Sequence, residues 1–203
     1  MTDEADLAGA LRRLDEITCL LRVECPWDRE QDERSIVPHT VEEAYELADA
    51  AHSGDDAKLI DELGDVLFQV YFLSLLLEER GQGSLAEVAE HVRAKLVRRH
   101  PHVFGDREAA SAGDVVRNWN QIKRDEERGG EIFGELSQTL PSTLYAKKVL
   151  KRAAGVGHAW EGEGDDAGER LLAAVRDAVD AGVDPELALR RAADRFRDQV
   201  EAD

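Results

Sequence analysis

Two short acidic motifs carry the chemistry most directly. Glu42-Glu43-Ala44-Tyr45-Glu46 is followed by Glu62-Leu63-Gly64-Asp65. Side chains three apart lie on one face of a helix, so Glu43 pairs with Glu46 and Glu62 with Asp65. A turn at Gly54 makes the two helices antiparallel and sets the pairs face to face. Opposed carboxylates repel and raise one another's pKa values unless cations sit among them. Oxygen-only ligands suit hard ions such as Mg²⁺ or Mn²⁺. Inward-facing carboxylates on paired helices are an established way to build such a site in a bundle. The competing explanation is a solvated acidic face, because the chain holds 44 Asp and Glu. Against it, Glu62 and Asp65 open the most apolar helical stretch of the chain, where unpartnered carboxylates are rare. Gly64 inside that helix costs about 1 kcal/mol relative to Ala, which is understandable if a bulky ligand or a neighbouring backbone approaches there.

A basic island lies farther along. His91 to Phe104 contains Arg93, Lys95, Arg98 and Arg99 with His91, His100 and His102, and no acidic residue. Lys95 and Arg99 share a helix face at i, i+4. Part of this charge complements a helix C-terminus. Beside a divalent-metal site, a fixed cation pair is also what a triphosphate requires. Trp119 and Lys123 form a second i, i+4 pair. Trp119 either stacks on a base or belongs to the core. His100 and His102 are expected to pack in a loop rather than to bind metal.

The elements that would position these groups are helices. Asp6 to Val23 repeats Leu7, Leu11, Leu14, Ile17 and Leu21 at helical spacing. Cys25-Pro26-Trp27-Asp28 breaks it, since proline disfavours helix at the preceding residue. A second helix is expected from Pro38-His39-Thr40, with Thr40 and Glu43 at capping-box spacing, to Ser53 and the stop at Gly54. A third covers about Ala57 to Arg80. It is apolar nearly all round, which implies burial on several sides, a partner subunit included. A fourth spans Ser84 to Arg99, a loop runs from Gly105 to Gly113, and a fifth helix spans Asp114 to Glu127. Gly129 to Pro141 is a linker with Gly129-Gly130, and two or three more helices start near Leu144, Ala167 and Pro185. The stretch from Gly162 to Gly168 separates two of them. With no alternating run, the fold class is all-α.

Composition bounds the rest. At 203 residues, the chain buries a core without disulfides or a structural metal. The formal net charge of −18 excludes whole-surface affinity for nucleic acid or anionic membrane. Cys19 and Cys25, without framework or CxxC spacing, fit a reducing cytoplasm. The acidic start Met1-Thr2-Asp3-Glu4-Ala5-Asp6 does not read as a signal peptide, and Val66 to Leu77 is too short to span a bilayer.

Taken in order, the motifs match a family. Leu21-Arg22, Cys25-Pro26-Trp27-Asp28 with Gln31, Glu42 to Glu46, Glu62 to Asp65 with Gln69, Arg98-Arg99-His100-Pro101-His102-Val103-Phe104-Gly105, and Trp119 with Lys123 resemble the MazG nucleoside triphosphate pyrophosphohydrolases. The resemblance covers residues 7 to about 127. It implies a helical bundle completed by dimerisation, or a higher homo-oligomer, and a pyrophosphohydrolase domain over 1–128. It implies Mg²⁺, with Mn²⁺ a possible substitute, on Glu43, Glu46, Glu62 and Asp65. It places nucleotide contacts at Lys95, Arg99, Trp119 and Lys123. The activity implied is hydrolysis of a (deoxy)nucleoside triphosphate to monophosphate and pyrophosphate, for nucleotide-pool housecleaning. Glu42 is a further candidate, as general base, as a group behind the ligands, or as a solvent-facing side chain.

Three departures from the family pattern stand out. Asp32 and Glu33 occupy the place of a usual Thr-His, and Leu73 replaces a usual His. Leu140-Pro141, Lys147 to Trp160 and Asp184 to Glu201 resemble the ends of a second MazG repeat whose acidic middle is missing. Residues 129–143 are therefore expected to be a linker and 144–203 a shortened, non-catalytic remnant. Two alternatives stay open: a narrower enzyme for dUTP, dCTP or damaged nucleotides, and a non-catalytic helical module that binds nucleotide or a partner.

Overall fold

The computed structural model describes residues 4–126, 132–162 and 166–202. Among them lie ten helices and no strand, so the chain is all-α as expected. It divides into two compact units, Met1–Arg98 and Arg99–Asp203.

In the first unit, α1 (Glu4–Glu24) ends where expected. Cys25 takes an extended conformation (φ −81°, ψ 122°) because Pro26 follows it. The break is one residue long, however. Pro26 then opens a short helix, α2 (Pro26–Glu30), since its fixed φ and missing N–H suit a first helical position. The next helix, α3 (Glu33–Ser53), starts at Glu33 rather than near Pro38. Its capping box is Asp32 with Ser35, not Thr40 with Glu43. Asp32 Oδ1 accepts from the Arg34 and Ser35 N–H groups (2.8 and 2.9 Å), and Ser35 Oγ accepts from the Asp32 N–H (2.9 Å). Pro38 lies inside the helix. Thr40 Oγ1 instead donates back to Ile36 O and reaches Gln69 Oε1 on the next helix. Asp32 is thus the residue that caps α3.

Gly54 closes α3 in the left-handed conformation (φ 73°), and Asp55 caps α4 (Asp56–Glu79) through the Ala57 and Lys58 N–H groups (3.0 and 3.2 Å). This two-residue corner folds α3 and α4 into the expected hairpin, the most extensive helix pair among the described residues. Its core is Ile36, Phe72 and Leu76, flanked by Phe68 and Leu73. Arg22 ties α1 to the hairpin: Nε and Nη2 donate to Glu79 (2.7 and 2.9 Å), and Nη1 donates to the Gln31 and Asp28 carbonyls. Its guanidinium also lies over the Phe72 ring. The last helix starting in this unit is α5 (Leu85–Arg99).

Among the described residues, one face of α4, expected to be buried by the chain and a partner subunit together, is left uncovered. Ile60, Leu63, Leu67 and Val70, recurring at helical spacing, are 71%, 50%, 37% and 40% exposed. A Cβ on Gly64 would meet nothing within 4 Å, so no backbone of the chain approaches there among the described residues.

In the second unit, Pro101 opens a one-turn helix, α6 (Pro101–Phe104), that the sequence reading missed. It is followed by α7 (Ala112–Glu126), α8 (Ser142–Ala154), α9 (Ala167–Asp180) and α10 (Pro185–Ala202). The last three pack on one another. Asp184 caps α10 through the Glu186 and Leu187 N–H groups and pairs with Lys147, while Thr143 donates to Glu186. The Gly129-Gly130 step of the expected linker, and residues 163–165 of the Gly162–Gly168 stretch, lie outside the described residues.

Candidate active site

The hairpin brings three of the four predicted carboxylates together. One oxygen each from Glu43 on α3 and Glu62 and Asp65 on α4 lie within 4.8 Å of one another. Glu46 stands one turn beyond Glu43 on α3, and its charge acts on the Glu43 carboxyl. Burial holds the Glu43 carboxyl above the usual carboxylate range, and the charges of Asp65, Glu46 and Glu62 push it the same way. Glu62, only 9% exposed, is raised by burial and then by Glu46 and Asp65, with Lys58 opposing. Bringing these groups together therefore costs free energy in the bare chain. An all-oxygen donor set under mutual repulsion fits a hard divalent cation, which would lower that cost.

Glu42 lies outside the trio. Its carboxylate is 67% exposed and 3.8 Å from His39 Nδ1. His39 in turn meets the edge of the exposed Trp27 ring (6.0 Å between centroids). Lys95 is half-buried on α5 and lines a shallow cavity with Gln82, Ser84, Glu87 and His91.

The basic island is not as unpaired in space as in sequence. Arg93 meets Glu90 (2.7 Å). In the second unit, Arg99 Nε and Nη2 both donate to Glu126 Oε2 (2.9 and 2.7 Å). The Arg99 guanidinium lies 5.3 Å from the Trp119 ring centroid, and His100 meets Trp119 edge-on at 4.9 Å. Trp119, expected either as a base platform or as core, is half-buried with both of these neighbours. Lys123 is half-buried on the same helix. The sequence reading missed Glu126. Trp119, Lys123 and Glu126 stand at i, i+4, i+7, a spacing that marks one helix face and was the available signal.

The class the fold and site define is an all-α chain whose helical hairpin gathers three carboxylates that could hold a cation. The family model for the MazG nucleotide pyrophosphohydrolase domain matches residues 31–104, from just before the Asp32 cap to the end of α6. A nucleoside triphosphate pyrophosphohydrolase of Escherichia coli K12 is 33% identical over 203 residues, covering 85% of this chain and 77% of that protein. The nucleoside triphosphate pyrophosphohydrolase/pyrophosphatase MazG of Thermotoga maritima is 34% identical over 197 residues, covering 85% and 76%. An uncharacterised 26.1 kDa protein of the blaB 3' region of Streptomyces cacaoi is 41% identical over 206 residues, covering 97% and 84%. The chain belongs to the MazG nucleotide pyrophosphohydrolase family.

Proposed function

We propose that this chain hydrolyses (deoxy)nucleoside triphosphates to the monophosphate and pyrophosphate, clearing unwanted nucleotides from the cytoplasmic pool. The observation that carries this reading is the convergence of Glu43, Glu62 and Asp65 on the α3–α4 hairpin of a MazG-family chain. These residues, with Glu46 beside them, would hold Mg²⁺, for which Mn²⁺ is the natural substitute. A divalent cation bound there would neutralise triphosphate oxygens and make a water more acidic.

The protein's own groups do the rest. Glu42, a candidate general base from the sequence, faces solvent beside His39 and outside the trio, which favours its solvent-facing alternative. Lys95, Arg99 and Lys123 would offset charge on the phosphates, and Trp119 would contact the nucleotide. Stacking by Trp119 or Trp27 would tolerate any base.

Residues 1–128 would carry the activity, with 129–143 as linker and 144–203 as a non-catalytic remnant. The exposed stripe on α4 supports a homodimer, since a face of that length costs solubility if left bare. Free Cys19 and Cys25 suit a reducing compartment. No helix among the described residues is long and apolar enough to cross a membrane.

The decisive assay is pyrophosphate release from a panel of normal, deaminated and oxidised nucleotides, with and without Mg²⁺. Wild type should release pyrophosphate only with metal. Glu62→Gln and Asp65→Asn should lose the activity while keeping the helical circular dichroism spectrum. Retention of full activity by either variant would remove the cluster from the mechanism.

A further inference from the structure

We propose that Glu126 is a positioning residue that presets Arg99 for the phosphate tail of the substrate. This rests on the reading that Arg99 meets the nucleotide. The guanidinium carries five N–H donors in a rigid plane. Glu126 Oε2 takes one from Nε and one from Nη2 (2.9 and 2.7 Å), so a single carboxylate oxygen grips one edge. The Nη1 edge and the second Nη2 hydrogen are left for another anion, the fork by which arginine meets phosphate. The Arg99 guanidinium carbon also lies over the Trp119 ring, 5.3 Å from its centroid, a cation–π contact that adds to the hold. The pair is well sheltered, with 13% of the Arg99 side chain and 23% of the Glu126 side chain exposed.

Holding the arginine in advance has a purpose in this chain. With a net charge of −18, an untethered guanidinium has many wrong carboxylates to choose from. It would also lose rotamer freedom on meeting its anion. Glu126 takes that cost in the free protein. Its place on α7, in register with Trp119 and Lys123, means one helix face supplies both the expected nucleotide contacts and the clamp on Arg99.

The test uses the full chain and two readouts. One is calorimetric binding of inorganic tripolyphosphate; the other is steady-state pyrophosphate release with Mg²⁺. Glu126→Ala should weaken tripolyphosphate binding and raise KM by about tenfold, the scale of one charge-assisted contact, with kcat moved less. Glu126→Gln, which keeps an acceptor oxygen, should recover part of that loss, and it serves as the variant should Glu126→Ala melt early. In an Arg99→Ala background, Glu126→Ala should add nothing, because its effect passes through Arg99. Wild-type affinity in Glu126→Ala, a further loss in the double variant, or tighter binding without the carboxylate would each overturn the proposal. So would failure of wild type to bind tripolyphosphate. If wild type binds tripolyphosphate but releases pyrophosphate from no nucleotide, the hydrolase reading fails, and the binding arm still decides the role of Glu126.

Discussion

Carboxylates that stabilise nothing in the bare chain are informative at the residue scale. Glu43 and Glu62 both stand above their ordinary pKa range because burial and each other's neighbours disfavour the charged form. A structural acid would show the opposite, as Glu79 does: its hydrogen bond to Arg22 lowers it despite burial. The contrast sets Glu43 and Glu62, proposed to hold a cation, apart from Glu79, which is paired within the fold. It also predicts a reversal. With chelator present, Glu62→Gln should melt above wild type, because one repelling charge is gone. With millimolar Mg²⁺, wild type should gain melting temperature and the variant should not, so the order inverts. Differential scanning fluorimetry under both conditions reads this directly, and unchanged order would argue against a cation at the trio.

Helix starts and caps govern what was legible at the element scale. The paired i, i+3 carboxylates, the Gly54 corner and the identity of α4 could be taken from the chain alone, since they depend on local spacing and a left-handed glycine (φ 73°). The beginning of α3 could not. Pro38 looks like a first-turn proline, and Thr40 with Glu43 looks like a capping box. The choice of Asp32 over Thr40 is tertiary: starting at Glu33 buries Ile36 to 1% exposure against Phe72, and lets Arg80 meet Glu33. The partner of Arg99 was hidden for a similar reason, because Glu126 is 27 residues away along the chain. Element-scale electrostatics make a further prediction at α10. Burial alone would raise Asp184, but Lys147 and the cap N–H groups of Leu187 and Glu186 win and lower it. A lowered folded pKa gives stability that is present above the unfolded value, ~3.9 for Asp, and lost as pH falls through the folded one. Asp184→Asn keeps a capping oxygen and removes the charge. It should therefore melt below wild type at neutral pH, and the gap should close as the pH is lowered past the ordinary aspartate range. A gap independent of pH would mean that the Lys147 pairing contributes nothing.

At the scale of the whole molecule, the unsatisfied surface is apolar. Ile60, Leu63, Leu67 and Val70 run along α4 with 71%, 50%, 37% and 40% of their surfaces in water, on the helix that supplies Glu62 and Asp65. Apolar burial is worth about 25 cal/mol per Å², so covering such a face by a second copy stabilises both. A second copy on this face would account for the all-round apolar character of α4 that is legible in the sequence. A lysine at Leu67 tests this without touching the carboxylates. Wild type should sediment as a dimer or larger assembly, and Leu67→Lys should sediment as a monomer with a lower, concentration-independent melting temperature. Because α4 carries two of the three converging carboxylates, loosening the helix should also weaken the Mg²⁺-induced thermal shift. A wild-type chain that sediments as a monomer at micromolar concentration would show instead that this stripe is tolerated in water.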